Sequence, residues 1–450
     1  MNSGSSSHRV ELLKAESSFG WMSGMPSGNV ITFFEGSIDA AAQELRARLR
    51  AVVEANPWLC SRLTKSPDRN GIAMTWTDAD VTRELFAIEQ GESTLFHVSP
   101  KDLRGVFRID QPYEELCRAV TQSRLAVPVG KQCLKHQRPL VALVLSPINE
   151  NQFALWISMS HIIADGYTAY TILGMILSSD SAAIASLAVE RDHSFDPKLR
   201  AAIGHQEKAM LDFSLPGILN ALGNHFFSPR PRALCFRLNP DAVDTVKHTY
   251  QNEAAGMSGA PSYISANDIV TSELGRLLQF SSLYMAMNFR GRFPLNPYSV
   301  EGEDFGLKMA GNYESGIFFF GGDFDHPSQI RKAQGLATPG LFQRSPNENG
   351  LISSIPGFWR RTFGKPGLVT NWSGWKAEFQ LPGCSTLLHL PITELDRPFF
   401  ESAIIFQARP GDIGVLIFSR VVTSMEHVQA FSPIFGDAIS HDLFPDGRAS

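Results

Sequence analysis

The chain has 450 residues, of which 43% are hydrophobic and 19% charged, with ordinary glycine and proline counts. That length predicts two or three folding units, and the composition excludes a mainly disordered or fibrous chain. Forty basic against 45 acidic residues leave a net charge of -5, and without a long Lys/Arg run nucleic acid is not expected as a main partner.

The first seven residues, Met1 to Ser7, contain no apolar segment and no glycine at position 2. A secretory signal and a myristoyl group are therefore not expected, and the expected location is cytoplasmic. Asn29–Phe34 is β-branched and aromatic and reads as a strand; a Gly36-Ser37 break leads to a helix over Ile38–Glu54. In that helix Ala42, Leu45, Leu49, Val52 and Val53 share one stripe, while Arg46, Arg48 and Arg50 point elsewhere, as on a surface helix lying on a sheet. Asn56-Pro57 ends it.

Leu140–Leu145 and Gln152–Ser160 read as two strands joined by the turn-rich Pro147–Asn151. In the second, Phe153, Leu155, Ile157 and Met159 alternate onto one face. Apolar runs of this kind are far short of the roughly 20 residues that span a bilayer. His161 follows directly, and a helix is expected from near Tyr167. From Asp192 to Arg232 the pattern weakens, which predicts a crossover between an N-terminal lobe (1–191) and a C-terminal lobe (233–450).

The later half opens with a strand at Ala233–Leu238 and a helix capped by Asn239-Pro240. Ser265–Asp268 caps another helix running to Leu278. Strands follow at Leu283–Asn288, Ile317–Phe320 and Leu368–Trp372, then a hairpin of Ser402–Ala408 and Ile413–Ser419 turned by Arg409–Asp412. Strands mixed with helices in both halves indicate an α/β or α+β sandwich. The five cysteines, Cys60, Cys117, Cys133, Cys235 and Cys384, are widely spaced with no C-x-x-C pair, and read as reduced thiols, neither disulfides nor metal ligands.

The sharpest local feature is Ser160–Gly166, which contains H-x-x-x-D-G. The composition gives such a run a chance expectation of roughly 0.05. A histidine at a strand end before a turn and helix can be presented to a cleft, where an imidazole takes up and returns a proton near neutral pH. Asp165 can orient the turn by pairing with an arginine, and Gly166 can permit a close approach that a Cβ would block. The alternative is a core histidine followed by a helix-capping aspartate. No G-x-x-x-x-G-K, G-x-G-x-x-G or G-x-S-x-G is present, which disfavours kinase, dehydrogenase and serine-hydrolase chemistry.

H-x-x-x-D-G in this setting resembles the acyltransferase superfamily of BAHD enzymes, chloramphenicol acetyltransferase and the condensation domains of nonribosomal peptide synthesis. Its position at 161 of 450 and the single histidine after Ser160 are similar to the two-lobed BAHD type. Asn56–Leu63, Ser265–Asp268, Asn288–Arg292 with Gly311-Asn312, and the closing Gly411–Val415 with Met425–His427 also resemble family stretches. The D-F-G-W-G signature is absent; Val369–Trp372 is similar to the family's T-S-W, followed by an eroded Glu378–Gln380.

The resemblance implies two chloramphenicol-acetyltransferase-like lobes, each a mixed β-sheet flanked by helices, with a tunnel between them. It implies an acyltransferase of secondary metabolism that moves an acyl group from acyl-CoA to a hydroxyl or amine of a small-molecule acceptor, as a monomer, with no cofactor or metal beyond that co-substrate. His161 would be the general base and Asp165 its structural partner, held by Arg290 or Arg292. Thr370 and Trp372 would lie near the tetrahedral intermediate as oxyanion donors, with an ordinary core strand as the alternative for that pair. A carrier-protein-dependent condensation-like enzyme and a non-catalytic ligand-binding relative remain alternatives at this point.

Overall fold

The computed structural model describes residues 6–17, 22–66, 71–98, 107, 111–123, 125–178, 180–203, 220, 223, 231–291, 308–320, 324–335, 364–375, 380–393, 401–422 and 424–439. Strand β1 (Ser7–Glu11) and a single helical turn, α1 (Lys14–Ser17), precede β2 (Gly28–Glu35) and helix α2 (Ile38–Ala55). Ser37 starts α2 by accepting from the Ala40 amide, and Asn56 ahead of Pro57 closes it. The expected apolar stripe of α2 is buried. Arg48 departs from expectation: it is also buried, because its guanidinium donates to the carbonyls of Met175 (3.0 Å) and Asp180 (2.9 Å).

β3 (Arg62–Lys65) and β4 (Ile72–Thr77) form a small antiparallel sheet with β1, in the order β1-β4-β3. Helix α3 (Asp78–Gln90), the short strand β5 (Phe96–His97) and helices α4 (Tyr113–Gln122) and α5 (Gly130–His136) come next along the chain. Then come β6 (Val141–Pro147), β7 (Gln152–Met159) and α6 (Gly166–Leu177). The expected 192–232 crossover contains helix α7 (Phe195–Ile203). The later half supplies β8 (Arg232–Leu238), α8 (Pro240–Ala254), α9 (Ala266–Leu277), β9 (Ser282–Asn288), β10 (Glu314–Phe320) and β11 (Pro366–Asn371). β12 (Ser385–Ile392), β13 (Glu401–Arg409), β14 (Asp412–Ser419) and β15 (Phe435–Ala438) follow.

Two large mixed sheets organise these strands. One runs β12-β2-β7-β6-β5 and the other β10-β9-β11-β13-β14-β8-β15. The first sheet is not made from the earlier half alone. β12 reaches back from the later half and pairs antiparallel with β2, Leu390 opposite Ile31, which covers what would otherwise be an open edge.

Pleating explains the layers. In β7, Phe153, Leu155, Ile157 and Met159 join the cluster that includes the apolar faces of α2 and α6. Ala154 and Trp156 face the other way and share a cluster with Ile404 and Phe406 of β13 and Leu416 and Phe418 of β14. The alternate residues of β13 and β14, Ala403, Ile405, Val415 and Ile417, pack with α9. Both sheets are therefore buried on two faces, with helices outside and an apolar seam between.

Candidate active site

The turn carrying H-x-x-x-D-G is fixed at both ends by backbone chemistry. The Ser160 amide donates to the Leu140 carbonyl (2.8 Å) as β7 ends, and Asp165 caps α6 by accepting from the Thr168 amide (2.9 Å). Between them the His161 side chain keeps 20% exposure although Ile162 and Ile163 are fully buried. Its Nε2 lies 3.6 Å from Oε1 of Glu314, the first residue of β10. Its Nδ1 is buried with no hydrogen-bond partner among the described residues.

Asp165 does more than cap. Arg290 Nη1 donates to its Oδ2 (2.6 Å) and Nη2 to its Oδ1 (3.3 Å), and both side chains are essentially inaccessible. The Tyr313 amide also donates to Oδ2 (3.1 Å). Arg290 donates further to the carbonyls of Met309 (2.9 Å) and Gly311 (2.8 Å), to Thr168 Oγ1 and to Asn288 Oδ1, and sits between the rings of Tyr167 and Tyr313. A buried guanidinium is tolerated only with its donors so occupied. The two readings of Asp165, helix cap and arginine partner, are both present in one carboxylate. Of the two candidate arginines, Arg290 makes the pair; Arg292 lies outside the described residues.

A second buried pair holds the same turn from the other side. Arg191 Nε donates to Glu16 Oε2 (3.0 Å), with both side chains at 0% exposure. Arg191 also donates to the carbonyls of Ile163, Ala310 and Val189. Glu16 accepts from the Leu13 amide and from both the backbone and side-chain nitrogens of Asn312, and Asn312 Nδ2 donates in turn to the His161 carbonyl (2.9 Å). Gly311 permits this crowding: its φ is +132°, and a Cβ there would stand 2.8 Å from the Arg191 guanidinium carbon.

Glu314 is the ionisable group facing the imidazole. Burial is the largest influence and raises its carboxyl above the usual range; His161 opposes, Asp165 adds to the rise, and Arg290 opposes.

On the far side of Asp165 the wall is aromatic. A Cβ on Gly166 would lie 2.3 Å from the Trp375 ring, so any larger residue must push that indole aside. Trp375 stacks on Trp372 (centroids 6.1 Å), and Tyr170 packs against both. Trp372 Nε1 donates to Thr370 Oγ1 (3.1 Å). The indole N–H expected as a donor is thus committed to Thr370, and the threonine hydroxyl keeps its own proton to donate. Behind this wall Tyr170 and Thr32 flank the buried His389, each 2.9 Å from a ring nitrogen, and burial lowers that imidazole's pKa to about 3.

Sequence reading singled out His161, Asp165, Gly166 and Arg290, which the structure brings together. Thr370 and Trp372 connect to them through Trp375. It missed Glu16, Arg191, Glu314, Trp375 and His389. Only Trp375 left a local signal, as the second indole of Trp372-Ser373-Gly374-Trp375.

Neither a protein-family model nor a curated protein sequence matches this sequence. Solved structures are similar in fold. Against F. sporotrichioides TRI101 complexed with coenzyme A and T-2, the identity is 13%, the match covers 96% of this chain and 100% of that one, and the TM-score is 0.57. The first condensation domain of the calcium-dependent antibiotic synthetase matches at 14% identity over 94% of each chain, TM-score 0.55. Vinorine synthase matches at 12% over 97% of this chain and 98% of that one, TM-score 0.50. The chain thus shares the two-lobed, chloramphenicol-acetyltransferase-like fold of these proteins, the fold of the BAHD acyltransferases.

Proposed function

We propose that the protein is an acyltransferase that moves an acyl group from an acyl-CoA thioester to a hydroxyl or amine of a small-molecule acceptor, with His161 as general base. The observation that carries this reading is a part-exposed imidazole on a turn gripped by two buried arginine–carboxylate pairs. Such a grip restrains the imidazole's position, which general-base catalysis needs more than it needs an unusual basicity. His161 Nε2 would take the acceptor's proton as the nucleophile attacks the thioester carbon and return it to the departing thiolate. Asp165 and Arg290 would act as positioning residues, keeping the turn and the first turn of α6 in register. Thr370 would donate to the developing oxyanion, its hydroxyl oriented by the Trp372 indole.

The exposure of His161 amid buried neighbours supports a tunnel between the lobes that reaches the imidazole, with donor and acceptor entering from opposite mouths. Both halves of the site come from one chain, so a monomer suffices. None of the five cysteines forms a disulfide, which fits a reducing compartment such as the cytoplasm. A role in secondary metabolism follows from the resemblance stated above.

The test is His161→Ala, assayed by mass spectrometry with acetyl-, malonyl- and long-chain acyl-CoA against an acceptor library. The expected loss is about 10²–10⁴-fold in rate with an unchanged circular dichroism spectrum. A folded variant retaining near-full kcat overturns the role.

A further inference from the structure

We propose that Glu314 and His161 together form a two-base site selecting an acceptor whose nucleophile arrives with two protons to lose, a primary amine in its ammonium form. The inference rests on His161 being the base and deepens that reading by naming the acceptor class.

The geometry comes first. Glu314 Oε1 and His161 Nε2 are 3.6 Å apart, and the two side chains are 26% and 20% exposed. That gap is longer than a good hydrogen bond, yet one nitrogen can sit at about 2.9 Å from both atoms. A hydroxyl has a single proton and can donate to only one of them. An amine can donate to both at once. Charge points the same way, since the carboxylate is placed to meet an ammonium group at the imidazole. The groups facing Glu314 are His161 and Asp165 on the turn, Arg290, whose own charge is taken up by Asp165, and Tyr284 on the neighbouring strand β9. Burial makes the carboxyl more basic than usual, the direction that suits a proton acceptor.

The proton balance explains why a second base matters. An ammonium nitrogen carries three protons and the amide product carries one. The first proton goes to the Glu314 carboxylate, freeing the lone pair. The nitrogen attacks the thioester carbon, forming the C–N bond, and its second proton passes to His161 Nε2. The C–S bond breaks, His161 returns that proton to the CoA thiolate, and Glu314 releases the other to water. Ester formation from an alcohol moves one proton, from oxygen to sulfur through His161, and leaves Glu314 nothing to accept.

The test pairs amines with alcohols of the same skeleton, 2-phenylethylamine with 2-phenylethanol and 1,4-diaminobutane with 1,4-butanediol, within a wider matched library. Each is offered with acetyl-CoA to the wild type, Glu314→Gln and Glu314→Asp. The expected result is a preference for amines, with Glu314→Gln lowering kcat for amines at least tenfold more than for alcohols and Glu314→Asp restoring part of the loss. Glu314→Gln must also draw free amine from solution, so its kcat/KM for amines should rise about tenfold per pH unit from 7 to 9, below the usual amine pKa near ~10.4. The wild type should rise less. Preference for alcohols, or equal losses on both classes with parallel pH profiles, overturns the two-base site while leaving His161 as the base. No transfer to any pair counts against the acyltransferase reading itself, and the inference falls with it.

Discussion

Asp165 and Glu16 are two buried carboxylates that solve one problem by two routes. Each is paired with an arginine, each also accepts from backbone amides, and both converge on residues 311–313. Asp165 lies inside the turn it stabilises, four residues from His161. Glu16 comes from a separate helical turn near the N-terminus and reaches the same loop through Asn312 and Arg191. The turn that carries His161 is thus braced from within by a local residue and from outside by a distant one.

The comparison can be broken most sharply at Asp165. Both of its oxygens meet only donors, so in Asp165→Asn the amide NH2 confronts the donors of Arg290 and Tyr313 or of Arg290 and Thr168. Urea unfolding should show a loss of about 3–5 kcal/mol. A loss under about 1 kcal/mol would mean that the clamp contributes little.

Glu16→Gln also leaves a buried arginine uncompensated but should cost less, about 3 kcal/mol, the low end of that range, because part of the new donor clash can be relieved. The Asn312 Oδ1 atom has no partner among the described residues, so a rotated Asn312 amide can accept from the new NH2, at the expense of its bond to the His161 carbonyl. Equal losses in the two variants would remove the distinction between inner and outer brace. The double variant should lose less than the sum, because both carboxylates hold the 311–313 segment.

A third buried polar group sharpens the contrast by responding to pH. His389 is neutral in the folded chain, its pKa lowered by burial to about 3 from an unfolded value near 6.5. Between those values the unfolded chain binds the extra proton, so stability is complete above about pH 6.5 and falls as the pH drops. At pH 5 the expected loss is about 2 kcal/mol. Unfolding midpoints at pH 7 and pH 5 for the wild type and His389→Asn measure it, and an identical acid slope in the variant would assign the loss elsewhere.

The smallest effect is expected on the aromatic side. Gly166→Ala drives a Cβ into the Trp375 ring, but that indole is only partly buried and can yield, so the cost should be about 1–2 kcal/mol. Adding Trp375→Leu should recover much of it. If the double variant is worse than the single, the Trp375 contact is not the reason for glycine at 166.

The sequence alone carried many of the elements and the carboxylate of the inner brace, because their signals are local; its partner Arg290, 125 positions away, came only through the family resemblance. Alternation in Gln152–Met159, the Ser265–Asp268 capping box and the turn at Gly411 each depend on residues within a few positions of one another. His161, Asp165 and Gly166 fall in one heptapeptide, so their spacing could be read directly. The tertiary structure decided the rest. β12 pairs with β2 across some 350 residues because a pleated edge accepts any complementary strand. Glu16 and Arg191 find each other because a buried charge must be compensated, and nothing at either position in the sequence names the other. Glu314 meets His161 only because β10 begins where β7 ends, so a proposed proton acceptor looks in sequence like an ordinary strand residue.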